Sequence, residues 1–276
     1  MATIITDALN KYSNVIRLTR GGQKEVYCGI FNDNKYALKR GKYSSITQLE
    51  RIQREIDLLK SLDNVYYPHQ YEFVVDIYEK EFFIVEEFIE NISYSEAKTL
   101  GYFDTEQKLM IMLKNLIIGL EYIWQKRIVH RDLKPDNVLI KQDGTPIIID
   151  LGIARHLDLE TLTNPLFFQG PCTKIYAAPE QLLNQIKEID TRTDFFSLGI
   201  LILELHLGYH PFDPEYVGNE YSISENILMG KYVAPENKIG TSSEFSRVIK
   251  KLLKVEKFLR YRTSSQIIEE INKNWL

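Results

Sequence analysis

Apolar and polar positions divide the chain into stretches of different period. From Val15 to Lys39 the pattern predicts three short strands, the last of them following an Asn-Asp-Asn turn. Ser45, with Gln48 three residues on, has the form of a capping box. Leu49, Ile52, Ile56 and Leu59 then recur at helical spacing. Tyr71 to Tyr78 and Phe82 to Phe88, on either side of Glu79-Lys80-Glu81, predict a β-hairpin, and strand character is lost at Ile89-Glu90-Asn91. Between Thr105 and Arg127 the apolar set Leu109, Met112, Leu113, Leu116, Leu120 and Ile123 predicts a long core helix, with Met110 and Met112 as filler. Ile128 to Ile140 is a polar loop between two apolar runs, and Ile147-Ile148-Ile149 is a buried strand. Phe195 to Leu207 is the most apolar run; Ser197 and Glu204 interrupt it and it is too short to span a bilayer, so it predicts a buried helix. Two or three amphipathic helices close the chain.

Composition narrows the picture modestly. With 276 residues, 44% of them hydrophobic and 26% charged, the chain is of ordinary globular type, one large domain or two small ones. A net charge of -4 gives no reason to expect nucleic acid or an anionic membrane surface as a partner. Cys28 and Cys172 lie far apart without metal-ligand spacing, as reduced thiols of a cytoplasmic protein would. His69, His156, His206 and His210 show no metal spacing either. Met1 to Asn10 has no basic segment followed by an apolar run, so no secretory signal is expected.

Chemistry concentrates in His130-Arg131-Asp132-Leu133-Lys134-Pro135-Asp136-Asn137. A carboxylate at Asp132 can orient a hydroxyl and accept its proton. A cation at Lys134 can neutralise a migrating phosphoryl group, and the Asn137 oxygen can ligate a metal. Asp150, at the end of the Ile147 to Ile149 strand and followed by Leu151-Gly152, supplies a second carboxylate. With Asn137 it gives the hard oxygen ligands that a magnesium–phosphate site requires.

The octapeptide, its spacing to Asp150 and the order of the two resemble the catalytic and metal-binding loops of protein kinases. The resemblance runs from about Val15 to Ile271. It implies an α+β, two-lobed fold in a single domain, 1–276: a small antiparallel β-sheet lobe with one helix (about 1–86), a hinge (about 87–91) and a larger, mainly helical lobe (about 92–276). The implied cofactors are ATP and Mg2+, and the implied partner is a protein substrate. Asp132 and Lys134 would be catalytic, and Asn137 and Asp150 would hold the metal. Leu18, Gly21, Gly22, Val26, Ala37, Lys39, Glu55, Glu87, Ile89 and Leu139 would bind ATP.

Several positions depart from the family pattern. In Gly-x-Gly-x-x-Gly-x-Val, counted back from Val26, only Gly21 is kept; Thr19 and Lys24 stand at the outer glycines. Lys24 either adds a phosphate contact or points to solvent. The family pairs Lys39 with Glu55, and the bland reading makes Glu55 one of several exposed acids on a charged helix. Glu86 falls at the position gating the pocket behind adenine, so either the register is off by one or that pocket is polar. Leu151 replaces the usual Phe, still apolar enough to pack beneath the Glu55 helix.

Lys134 goes with Ser/Thr rather than Tyr as acceptor. Thr173 stands where a Thr contacts the catalytic Asp, and Cys172 replaces the Gly before it. The usual activating phosphosite is Gln169; Thr161 or Thr163 can substitute, or the loop is ordered without phosphorylation, and Arg131 can pair with a phosphorylated residue. Ala178-Pro179-Glu180 closes the activation segment, with Glu180 expected to pair with Arg260 or its rival Arg262. Asp194 is expected to accept backbone N–H groups of the catalytic loop. Two rivals to an active serine/threonine kinase are a pseudokinase scaffold, suggested by the eroded glycine loop and Leu151, and a small-molecule kinase of related fold.

Overall fold

Asn32 and Asp33 both adopt positive φ, 47° and 60°, the geometry of a two-residue hairpin turn whose twist matches that of its strands. Around that turn β2 (Lys24–Phe31) pairs with β3 (Asn34–Lys42), and β1 (Ser13–Arg20) pairs with β2. A second hairpin, β4 (Gln70–Asp76) and β5 (Glu81–Glu87), turns at Lys80, with Asp76 Oδ1 accepting from the Tyr78 and Glu79 amides. The result is an antiparallel five-stranded sheet in the order β1-β2-β3-β5-β4. The structure, a computed structural model, describes residues 4–20, 24–62, 64–151, 155–156 and 173–276. The chain forms two compact units, Met1–Asn91 and Ile92–Leu276.

In the first unit two helices bury opposite faces of the sheet. Helix α2 (Ile46–Lys60) starts at Ser45, whose side chain accepts from the Gln48 amide. The Gln48 side chain returns to the amide and hydroxyl of Ser44 rather than to Ser45, so the expected capping box is closed one residue early. Ile52 and Ile56 pack with Tyr43, Phe82 and Ile84. The other face, Leu38, Phe83 and Val85, is covered by Ile5 and Ala8 of α1 (Ile4–Leu9), a short helix additional to the expected one. Ile5 is fully buried, which is worth ~1.5–3 kcal/mol.

The second unit opens at β6 (Asn91–Ile92), whose first residue closes the unit before it, and continues through α3 (Tyr94–Thr99) into α4 (Glu106–Trp124). Helix α4 buries the apolar stripe read from the sequence. Then come β7 (Ile128–Val129), a one-turn 3-10 helix at Pro135–Asn137, β8 (Val138–Lys141), β9 (Pro146–Ile148) and β10 (Arg155–His156), which pairs with β7. Beyond lie α5 (Pro179–Leu182), α6 (Thr191–Leu207), α7 (Pro214–Val217), α8 (Ile223–Met229), α9 (Ser243–Leu252) and α10 (Ser264–Trp275).

Helix α6 is buried almost all round, as expected of the most apolar run, and ends at Gly208 in the left-handed conformation. Gly199 lets α9 approach: a Cβ there would lie 2.9 Å from atoms of Leu252 and Leu253. Helix α9 buries Phe245, Val248, Ile249 and Leu252 at helical spacing and leaves its lysines outward. No helix among the described residues is long and apolar enough to cross a membrane.

Candidate active site

The sheet positions one group of expected site residues. In the β3–β5 ladder Ala37 lies opposite Glu86 and Lys39 opposite Ile84, and in the β2–β3 ladder Val26 lies opposite Lys39. Partners directly opposite share a face, so Val26, Ala37, Lys39 and Glu86 stand on one side of the sheet. Leu18 sits at a register shift in β1 and is 48% exposed. Gly21 and Gly22 lie outside the described residues, as do Gly152, Thr161, Thr163, Gln169, Cys172 and the Thr173 side chain.

Lys39 differs from its expectation. Its ammonium pairs with Glu86 at 2.5 Å, not with Glu55. Glu55 instead faces Lys24, 3.7 Å away, so Lys24 does not simply point to solvent. The physical reason is proximity. Glu86 is the diagonal cross-strand neighbour of Lys39, within reach of a long side chain, whereas Glu55 projects from a separate helix. The Glu86 carboxylate is 5% exposed and its other oxygen accepts from Gln70 Nε2 at 2.9 Å, so its surroundings are polar. The sequence signal for this is the acid pair Glu86-Glu87 that ends the apolar run Phe82 to Val85.

At the end of β5 the Glu87 amide donates to the His69 carbonyl, and beyond it Ile89 is buried. Lys35 reaches across to Glu90, 2.7 Å away, and over the Phe88 ring.

The second unit holds the other group. Asp132 is gripped from two sides: Lys134 Nζ donates to Oδ2 at 3.0 Å, and Asn137 Nδ2 donates to the same oxygen at 3.0 Å and to the Asp132 carbonyl at 2.7 Å. Burial pushes the Asp132 carboxyl above the usual carboxylate range, while Lys134 and Asn137 pull it back and the charge of Asp150 adds to the rise. Asn137 thus commits its amide nitrogen to Asp132 and keeps its side-chain oxygen for another partner. The β8–β9 ladder, with Leu139 opposite Ile147 and the Ile149 amide donating to the Asn137 carbonyl, brings Asp150 alongside the loop. A neutral amide oxygen and a carboxylate suit a hard divalent cation that keeps waters and takes phosphate oxygens as its other ligands.

Backbone strain marks the same place. Arg131 and Asp150 have φ of 72° and 60°, a left-handed conformation costing about 1–2 kcal/mol for a residue with a side chain. Buried contacts hold Arg131 there. Its amide donates to Asp194 Oδ1 at 2.8 Å, its carbonyl accepts from Gln181 Nε2 at 2.9 Å, and its side chain is buried. Asp194 Oδ2 accepts from the His130 amide at 2.9 Å and from Trp124 Nε1 at 2.8 Å, as expected of an acid opening α6 beneath the loop. Burial lifts the Asp194 carboxyl to about 6 against these donors. The Gln181 link was not foreseen; nothing in one sequence pairs a side chain with a carbonyl fifty residues away.

Glu180 takes Arg260, not Arg262. The guanidinium meets both carboxylate oxygens at 2.8 and 2.9 Å, with both residues buried, while Arg262 is exposed.

Comparison with known proteins gives the family. The chain is 27% identical over 248 residues to serine/threonine-protein kinase TIO of Arabidopsis thaliana, covering 87% of this chain and 17% of that protein. It is 28% identical over 232 residues to the cAMP-dependent protein kinase catalytic subunit of Dictyostelium discoideum, covering 82% and 33%. It is 31% identical over 213 residues to cysteine-rich receptor-like protein kinase 29 of Arabidopsis thaliana, covering 73% and 30%. In each case the chain spans a third of the relative's length or less. The model of the protein kinase domain matches residues 12–275, nearly the whole chain. With a five-stranded antiparallel sheet in one unit and a helical second unit carrying the Asp132 loop, the chain belongs to the protein kinase family.

Proposed function

We propose that this protein transfers the γ-phosphoryl group of Mg-ATP to Ser or Thr hydroxyls of protein substrates. The observation that carries the reading is the Asp132 carboxylate, held by both Lys134 and Asn137 at 3.0 Å. Asp132 orients the acceptor hydroxyl and takes its proton. Burial raises its carboxyl above the usual aspartate range, which makes it a better base than a solvated aspartate. Lys134 donates to the migrating phosphoryl oxygens as charge develops there. Asn137 and Asp150 hold magnesium, which neutralises the phosphate charge when bound. In the sheet, Lys39 would contact the α- and β-phosphates, Val26, Ala37 and Leu18 would flank the adenine, and the backbone of Glu87 and Ile89 would meet its edge. The name of serine/threonine-protein kinase TIO supports Ser/Thr as acceptor, as does Lys134 two residues after the base. We place the protein in the cytoplasm, where two cysteines without metal-ligand spacing would stay reduced.

Incubation with γ-labelled ATP, Mg2+ and a generic protein substrate tests this. Label should enter protein serine or threonine. Asp132→Asn should lower kcat by about 10²–10⁴-fold with the melting temperature little changed. Wild-type turnover in that variant, or label that enters only small molecules, would overturn the assignment.

A further inference from the structure

We propose that Glu86 is the residue that positions Lys39, the role the family pattern gives to Glu55. The inference rests on the phosphoryl-transfer reading above. Glu86 and Lys39 sit on neighbouring strands of one sheet face, and their side chains are 6% and 12% exposed. A buried acid and amine hold a fixed geometry only when the remaining lone pairs are also satisfied. Gln70 meets that condition: it is itself buried, opposes Glu86 in the β4–β5 ladder, and donates to Glu86 Oε2. Gln70 Nε2 also donates to the Pro68 carbonyl, so the side-chain nitrogen that meets Glu86 is fixed by a second bond. The three side chains therefore form a chain, Gln70 to Glu86 to Lys39, anchored on three adjacent strands.

Glu55 is engaged elsewhere, with Lys24 at the start of β2. That pair ties the start of β2 to α2 and leaves Lys39 to the sheet. Two consequences follow. The direction of the Lys39 ammonium is set by strand register, which packing fixes, and not by the placement of α2. The wall of the adenine site at this position also carries a charge where an apolar residue or Thr is usual.

Two measurements on the full chain test this. In the first, Lys39 is acylated with an amine-reactive ester in the absence of nucleotide and quantified by peptide mass spectrometry against the exposed Lys11. Glu86→Gln should raise the Lys39-to-Lys11 ratio about tenfold, and Glu55→Gln should raise it by less than about twofold. In the second, Glu86→Gln should lower kcat for phosphoryl transfer about tenfold or more, a larger loss than Glu55→Gln causes. It should add nothing further in a Lys39→Met background, as expected when two residues act as a unit. A purely structural Glu86 would leave the acylation ratio unchanged and would add its loss independently of Lys39. If Glu55→Gln and not Glu86→Gln exposes Lys39, or if Glu86→Gln transfers phosphate at the wild-type rate, the inference fails while the kinase reading stands. If the wild-type protein itself transfers no phosphate, the reading fails and the inference with it.

Discussion

Asn137 shows how one side chain can serve two groups at once. Its two N–H donors are spent on Asp132, which fixes the carboxylate and leaves the amide oxygen as a neutral ligand. Removing that amide should affect both the base and the metal. Asn137→Ala is expected to raise the Mg2+ concentration needed for half-maximal transfer by about tenfold, as loss of a metal-ligating or supporting group commonly does, and to lower kcat at saturating Mg2+. A Mg2+ titration at fixed ATP checks this; an unchanged half-point would remove Asn137 from the metal site. The same residue explains why the loop was legible from the chain alone. Asp132, Lys134 and Asn137 lie within six consecutive positions, so their mutual geometry is local. Lys39 was not legible in the same way. Its possible partners, Glu55 and Glu86, are set by how a helix and two strands pack, and the register that decides between them is a tertiary fact.

Among the elements, the periodic segments matched their expectation, and one short helix without a period escaped it. Helices α4 and α6 and both hairpins follow from repeated apolar positions over many residues. Helix α1 has six residues, below the length at which a helix is stable by itself, and forms because Ile5 and Ala8 find an apolar sheet face. The sequence offered no period to reveal it. The choice of Arg260 over Arg262 likewise awaited burial, since two arginines a residue apart are equivalent on paper.

The Glu180–Arg260 pair joins α5 to the segment before α10, and Thr193 at the start of α6 donates to the same Glu180 oxygen. Arg260→Met leaves a buried carboxylate without its cation and should destabilise the protein by ~3–5 kcal/mol. The double variant Glu180→Met with Arg260→Met should recover most of that loss, because no unpaired charge remains. Denaturant unfolding of the three proteins measures both; additive losses would show that the pair is not coupled.

At the scale of the whole molecule, buried titratable groups set the response to acid. Burial lowers His130, His206 and His210 to about 4. Below their ordinary value near 6.5, the unfolded chain takes up three protons that the folded chain refuses, so stability falls as pH drops through that window. Asp194 works in the opposite sense. With its carboxyl raised to about 6, the folded state holds a proton that the unfolded state gives up, and stability rises as pH falls from about 6 towards the ordinary aspartate value. Asp132 and Glu204, also raised by burial, act with Asp194. Asp190 and Glu270, where burial is outweighed by partners that hold them low, act with the three histidines, whose titration spans the window and sets a net loss. Melting temperature should fall between about pH 7 and about pH 5, and His206→Asn should flatten the slope. A melting temperature that holds constant across that range would contradict the burial of these rings.

The hydrogen bond from Trp124 to Asp194 has a spectroscopic use. The chain has two tryptophans, Trp124 and Trp275, and both belong to the second unit, whereas the first carries tyrosines such as Tyr12, Tyr36 and Tyr71 in ring contact. Indole emission is therefore a native reporter of the helical unit alone, and Trp124 watches the carboxylate that props the His130 and Arg131 amides. Indole emission followed beside the loss of total secondary structure would tell whether the helical unit lets go together with the rest of the chain or apart from it on heating, without any label being introduced.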